Sequence, residues 1–311
     1  MSAASERKVV LVTRHTRLQE LVARYHTLAQ ARFYIEHLGA DFSDYLKEDA
    51  AYAQSLQRTV QALQSWGRYQ IVDRSYLPNF VFAADDIVVA LGQDGLVANT
   101  MKYLEGQPLV GLNPEPSRWD GVLLPFAADD VGHVLNDVAK DRRPTQSVTM
   151  AEARLSDGQS LLGVNDLFIG PRTHTSALYE IELDGRRESQ SSSGVIVSTG
   201  LGSTAWLKSI VTGSLGIARA MHVASEQPPY QALAWDAERL TFAVREPYPS
   251  RSSTASLVFG AVTRARPLKL RSRMPDNGVI FSDGMEADYL RFTAGMEATI
   301  TLAQSRGRLV T

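Results

Sequence analysis

The sequence predicts an N-terminal Rossmann-like α/β domain followed by a C-terminal, mainly antiparallel β domain, and three observations predict it. In the first half, short apolar runs such as Lys8–Thr13, Ile87–Leu91 and Leu109–Leu112 alternate with stretches of helical periodicity. That alternation is the pattern of a largely parallel sheet covered on both faces. After about Pro144 the texture changes to short apolar or alternating runs separated by Gly, Asp, Pro and Ser, which read as antiparallel strands. The length, 311 residues, is enough for two domains that each bury a core. The boundary is set in Arg142–Thr145, giving domains 1–144 and 145–311, with the extreme C-terminus free to pack back on the first.

Each element follows from its own pattern. Leu18, Leu21, Val22, Tyr25 and Leu28 recur at helical spacing between Thr16 and Leu38, and Gly39 supplies a stop. A second helix is predicted from about Asp41 to Trp66, then a strand Tyr69–Asp73, a strand Ile87–Leu91, a helix near Val97 to Leu104 and a strand Leu109–Leu112. In the second half the predicted strands are Ser160–Gly163, Ala177–Leu183, Gly194–Ser198, Leu240–Val244, Ser256–Phe259, Leu268–Leu270 and Val279–Phe281, interrupted by one helix from Ser203 to about Met221.

Composition narrows the function classes. With 32 basic and 34 acidic residues the formal net charge is −2, and no block of like charge forms a phosphate-tracking stripe, which disfavours nucleic acid as a partner. Cysteine is absent, so disulfides, thiolate zinc sites and cysteine nucleophiles are excluded and a reducing cytoplasm is the expected setting. The start, Met1 to Lys8, lacks an apolar signal core, and the run from Phe80 is cut by Asp85 and Asp86 before it could span a bilayer. A soluble protein with no membrane partner is expected. The six histidines show no metal-ligand spacing.

Three stretches could carry chemistry. Gly92-Gln93-Asp94-Gly95 follows the strand Ile87–Leu91 and precedes a helix. There glycines admit a phosphate to the backbone, the helix presents free N–H groups, and Asp94 could accept a hydroxyl proton or orient a metal. Asn165-Asp166 lies between apolar residues; an amide can donate to and accept from a purine edge, and a carboxylate can accept two ribose hydroxyls. In Ser192–Trp206 an apolar strand enters a Gly- and hydroxyl-rich turn that becomes a helix, where small residues allow close approach of a base or phosphate and Trp206 could stack. Taken one at a time, these are also compatible with an ordinary strand-to-helix turn, an Asx turn, and a helix cap with a core aromatic.

Together, in this order, the three stretches resemble the GGDGT, NE/D and DG-I-V-S-T-P-T-G-S-T-A-Y motifs of the NAD kinase family. Pro108–Arg118, Asn165–Gly170, Ser192–Gly194, Thr199–Ser203 and Arg245–Pro247 are most similar to the mitochondrial-type branch. The resemblance implies the two-domain NAD kinase-like fold. It also implies an ATP- and Mg2+-dependent phosphoryl transfer to the 2′-hydroxyl of the adenosine ribose of NAD, on a homo-oligomer, dimer or tetramer, assembled through the β domains. By position, Asp94 becomes the catalytic contact to the acceptor hydroxyl, while Gly92, Gln93 and Gly95 line the diphosphate. Asn165 and Thr204 meet the adenine, Asp166 holds ribose hydroxyls, and Thr199, Gly202 and Ser203 also bind the nucleotide. Trp206, in place of the family's Tyr, walls the pocket, and Ser209 lies on the other ribose. The chain departs from the pattern at Gln93, Leu96 and Ser193. Those departures also fit a non-catalytic nucleotide-binding homologue, or a same-fold kinase acting on another nucleoside or lipid hydroxyl.

Overall fold

The protein is described by a computed structural model covering residues 7–223, 230–285 and 288–311. The first six residues of the leading segment Met1 to Lys8 lie outside the described residues. The chain folds as two compact units, Met1–Gln146 with Gly307–Thr311, and Ser147–Arg306.

The first unit is built on parallel strands β1 (Val9–Thr13), β2 (Tyr69–Asp73), β3 (Ile87–Leu91) and β4 (Pro108–Asn113), in the order β2-β1-β3-β4. Two-residue β5 (Phe126–Ala127) pairs with β4. Every residue of β3 is buried, as a strand covered on both faces requires; sinking each of its Val, Ile and Leu side chains contributes about 1.5–3 kcal/mol. The helices are α1 (Arg17–Tyr25), α2 (Leu28–His37), α3 (Phe42–Trp66), α4 (Asp94–Met101) and α5 (Val131–Ala139). Val9, Leu11, Ile87, Val89 and Val110 from the strands pack with Tyr52 and Leu63 of α3 and Val131, Val134 and Leu135 of α5.

Three details differ from the sequence reading. The single helix expected from Thr16 to Leu38 is two: His26 turns left-handed at φ 68° and Thr27 caps α2 by accepting from the N–H of Gln30 at 3.2 Å. A threonine that captures a nearby backbone donor competes with helix continuation. Helix α4 begins at Asp94, ahead of the expected Val97, because the Gln93 carbonyl accepts from Leu96 at 2.8 Å and Val97 at 3.3 Å. Helix α5 had not been assigned from sequence.

The second unit contains β6 (Thr145–Leu155), β7 (Ser160–Gly163), β8 (Asp166–Pro171), β9 (Ala177–Leu183), β10 (Arg186–Ser192), β11 (Val195–Ser198), β12 (Leu240–Val244), β13 (Phe259–Val262), β14 (Leu268–Ser272), β15 (Gly278–Ser282), β16 (Tyr289–Arg291) and the start of β17 (Glu297–Val310). One sheet is six-stranded and antiparallel, β13-β12-β11-β8-β15-β16; the other runs β10-β9-β14-β17. Apolar residues of both sheets, among them Leu167, Ile169, Tyr179, Ile181, Val195, Phe242 and Ile280, share one core. Strand β13 begins at Phe259, where the sequence reading ended its strand. The N–H groups of Ser256 and Leu257 are taken instead by the Glu188 carboxylate at 3.0 and 2.7 Å.

Helix α6 (Trp206–Ala220) starts later than expected, since Gly202–Thr204 forms a 3-10 turn and Ala205, at φ −106° and ψ −115°, interrupts it. The last strand leaves the second unit at Arg306; its final residues join the first, where Arg308 and Leu309 pair in parallel with Pro108 and Leu109. Among the described residues no helix is long and apolar enough to cross a membrane.

Candidate functional site

In the first unit the site is the turn between β3 and α4. Gly92 is buried, and its N–H donates to Leu112 at 3.1 Å, which ties the turn to β4. A Cβ on Gly92 would lie 2.8 Å from Leu96 Cδ2, so Leu96, standing where the resembled motif has Thr, packs beneath the turn. Gln93 is exposed and Gly95 has no heavy atom within 4 Å of the Cβ position, which keeps the outer face of the turn open. Asp94 heads the helix, partly exposed, and its Oδ1 accepts the Leu123 N–H at 2.8 Å. That bond orients the carboxylate and leaves Oδ2 for a ligand. A helix N-terminus at the carboxyl end of a parallel strand is where an anion is best received.

The sequence reading missed Arg14, which follows β1 beside this turn. Its Cδ and Nε lie 3.5 Å from the Gly92 Cβ position, its side chain is 9% exposed, and its Nε has no hydrogen-bond partner. Glu48 holds it at 3.0 Å and also binds Arg17 at 2.5 Å, and Asp44 then links Arg17 at 2.9 Å to Arg118 at 2.7 Å. Burial opposes the charge on Glu48, but the hydrogen bonds from Arg17 and Arg14 outweigh it and hold the carboxyl below its usual range. The only sequence signal for Arg14 is a basic residue directly after a buried strand.

In the second unit the structure brings Asn165 and Asp166 together with the Thr199–Thr204 turn. The Asn165 carbonyl accepts from the N–H of Thr199 at 2.9 Å, and a Cβ on Gly202 would fall 2.0 Å from that same oxygen. Only a glycine lets the two backbones meet this closely. The hydroxyls of Thr199 and Ser203 are fully buried and spent internally: Thr199 donates to Val164 at 2.6 Å, Ser203 donates to Gly200 at 2.6 Å and accepts from the N–H of Leu233 at 3.0 Å. These two therefore shape the turn. Thr204 and Ser209 are exposed, donating to Leu201 at 3.2 Å and Ala205 at 3.4 Å.

Asp166 is buried at the start of β8, and its carboxyl is pushed up to about 7, first by desolvation and then by the negative charge of Asp283. Trp206 stacks on Phe168, with ring centroids 5.9 Å apart and planes 9° from parallel, and Arg245 lies 5.5 Å from the Trp206 ring. Phe168 can lie flat because Cβ atoms on Gly170 and Gly194 would come within 2.6 and 2.7 Å of it. Phe168, Arg172, Trp206, Arg245, Phe281 and Tyr289 line a cavity of about 170 Å³. Among the described residues no group of three or more acids or histidines could hold a metal ion.

Comparison with known proteins gives three results. No family model matches the chain. An NAD kinase of Chlorobaculum tepidum is 29% identical over 124 residues, which is 39% of this chain and 43% of the relative, so the match spans less than half the length of that relative. Two solved structures share the fold: yeast NADH kinase complexed with NADH (TM-score 0.57, 13% identity, 98% of this chain and 83% of that one) and an NAD kinase from Archaeoglobus fulgidus in complex with ATP (TM-score 0.56, 14% identity, 98% and 93%).

Proposed function

We propose, from a partial sequence match to an NAD kinase and a fold shared with an NADH kinase and an NAD kinase, that the chain transfers a phosphoryl group from ATP to the 2′-hydroxyl of the adenosine ribose of NAD, giving NADP and ADP. The observation that carries this reading is Asp94: a carboxylate tethered on one oxygen by Leu123, at the open N-terminus of α4. In the reaction the 2′-oxygen bonds to the γ-phosphorus, the bridge to the β-phosphate breaks, and the hydroxyl proton passes to Asp94. Gly92, Gln93 and Gly95 offer backbone to the diphosphate, with the charge of Arg14 beside them.

Asn165 and Thr204 face the adenine, Asp166 takes ribose hydroxyls, Trp206 walls the base and Ser209 meets the second ribose, around a turn held in shape by Thr199, Gly202 and Ser203. A magnesium ion bound with ATP would supply charge neutralisation for the transferred group, and Asp94 would be the carboxylate at the turn that helps hold it. The donor set fits an ion carried mainly by ATP phosphates with at most one or two carboxylates, the usual habit of magnesium. The proposal extends to a cytoplasmic homo-oligomer close to the mitochondrial-type branch.

The test is direct. Purified protein with ATP, Mg2+ and NAD or NADH should form NADP or NADPH, measured by chromatography. Asp94→Asn should lower kcat by about 10²–10⁴-fold while NAD binding by calorimetry changes little. Binding of NAD without turnover by the wild type would instead identify a non-catalytic binding protein, and ATP consumption only with another nucleoside or lipid hydroxyl would identify a different kinase.

A further inference from the structure

The N–H groups of Val164, Asn165 and Asp166 all point at one carboxylate from far along the chain. Asp283 accepts from Val164 at 3.1 and 3.0 Å, from Asn165 at 2.6 Å and from Asp166 at 3.2 Å, and its own N–H returns to the Asp166 carbonyl at 3.0 Å. Successive backbone N–H groups converging in this way form a nest for an anion, and here the protein supplies the anion itself. Asp283 reaches it from a left-handed residue, φ 54°, immediately after β15, with Gly284 at φ 70° completing the bend. A backbone conformation that disfavours a side chain is retained only where its surroundings enforce it.

We propose that Asp283 is a positioning residue: by gathering the N–H groups of Val164–Asp166 on one carboxylate, it fixes the direction in which Asn165 and Asp166 are presented to a ribose and base. The role rests on the nucleotide-binding reading of that pair. It is needed because Asn165 lies in the short connection between β7 and β8, outside either strand. On one side, Asp166 is registered against the uncharged Ser198 of β11. On the other, Ser282 of β15 pairs with Leu167 and Asp283 follows it. Among the described residues, Asp283 is the charged group whose field raises the Asp166 carboxyl, after desolvation.

The variants Asp283→Asn and Asp283→Glu separate positioning from stability. In Asp283→Asn one amide oxygen replaces two anionic ones, so KM for NAD should rise by about 10-fold, the effect of losing a charged hydrogen-bond acceptor, with kcat within about threefold of wild type. The acid limb of kcat/KM should move to lower pH, since Asp166 no longer ionises against a neighbouring charge. Asp283→Glu, which keeps the charge, should leave that limb near its wild-type position.

A second readout needs no substrate. In protein carrying 13C-labelled aspartate, the Asp166 carboxyl should titrate near neutrality in the wild type and lower in Asp283→Asn, and the Asn165 amide should exchange with solvent faster in the variant. An unmoved Asp166 titration together with unchanged Asn165 exchange, in folded variants, would overturn the proposal. So would an unchanged KM in an enzyme that turns over NAD. Absence of NAD turnover in the wild type overturns the kinase reading instead, and the spectra then decide the role of Asp283 alone.

Discussion

At Gly202 one missing methyl group holds two distant pieces of chain together. The Asn165 carbonyl sits 2.0 Å from where a Cβ would be, and the Asn165 carbon 2.5 Å, so Gly202→Ala must push the Asn165 backbone away. The expected outcome is a loss of about 2 kcal/mol or more in denaturant unfolding, with a higher KM for NAD in whatever protein remains folded. At this scale some local surroundings are legible in the sequence. Asp94 and Asn165-Asp166 sit at strand ends within short runs, so their surroundings are written beside them. Those of Asp283 are not: its partners lie 117 to 119 residues earlier, and nothing local distinguishes it from an ordinary turn residue. Thr199 and Ser203 also illustrate the limit, because a hydroxyl in a Gly-rich turn reads the same whether it faces a ligand or the backbone.

Helices α1 and α3 are joined by charge as well as by apolar packing, in which Leu18, Leu21 and Val22 meet Phe42, Tyr45 and Leu46. Arg14 and Arg17 converge on Glu48, which is 6% exposed, and Arg17 and Arg118 converge on Asp44. Replacing Glu48 by Gln strands two guanidinium groups, one of them buried, and should cost about 3 kcal/mol, measured by urea unfolding at neutral pH. Since the Glu48 carboxyl is held below its usual range, its contribution is present above the unfolded-state pKa and lost as pH falls through the folded one. The gap between wild type and variant should therefore narrow in acid.

Strand periodicity was the readable part of the elements, because buried β-branched runs have few other uses. Breaks were harder. His26 and Thr27 divide a helix whose apolar spacing continues across them, and Glu188 diverts Ser256 and Leu257 from a ladder that their sequence would support. Helix α5 has its pattern in Val131, Val134, Leu135 and Val138, which recur at helical spacing and are buried, but so short a run between loops is a weak helical signal.

For the molecule as a whole, Asp166 is a group that couples stability to pH near neutrality. Its folded-state pKa of about 7 lies above the usual carboxylate value, so the folded protein binds more protons than the unfolded one between those limits. Stability from this group is fully present below about pH 4 and is lost as pH rises through about 7. In Asp166→Asn the thermal midpoint should fall less between pH 5 and 7.5 than in wild type, by scanning calorimetry; an identical slope in both would count against a buried, near-neutral Asp166. The order of the fold, α/β followed by β, was legible because the two halves differ in hydrophobic period. The strand that returns to the first unit was anticipated only as packing of the extreme C-terminus, since parallel pairing partners leave no mark on one another's sequence.

That returning strand bears on how the polypeptide is made. Residues 307–311 belong to the first unit and are separated from its other residues by all of Ser147–Arg306. A ribosome therefore releases the first unit with β4 lacking its β17 neighbour, and the sheet waits for translation of the entire second unit before its outermost ladder can form. Truncation at Arg306 would leave the same gap permanently, exposing the backbone of Pro108 and Leu109 as a sticky margin for other nascent chains.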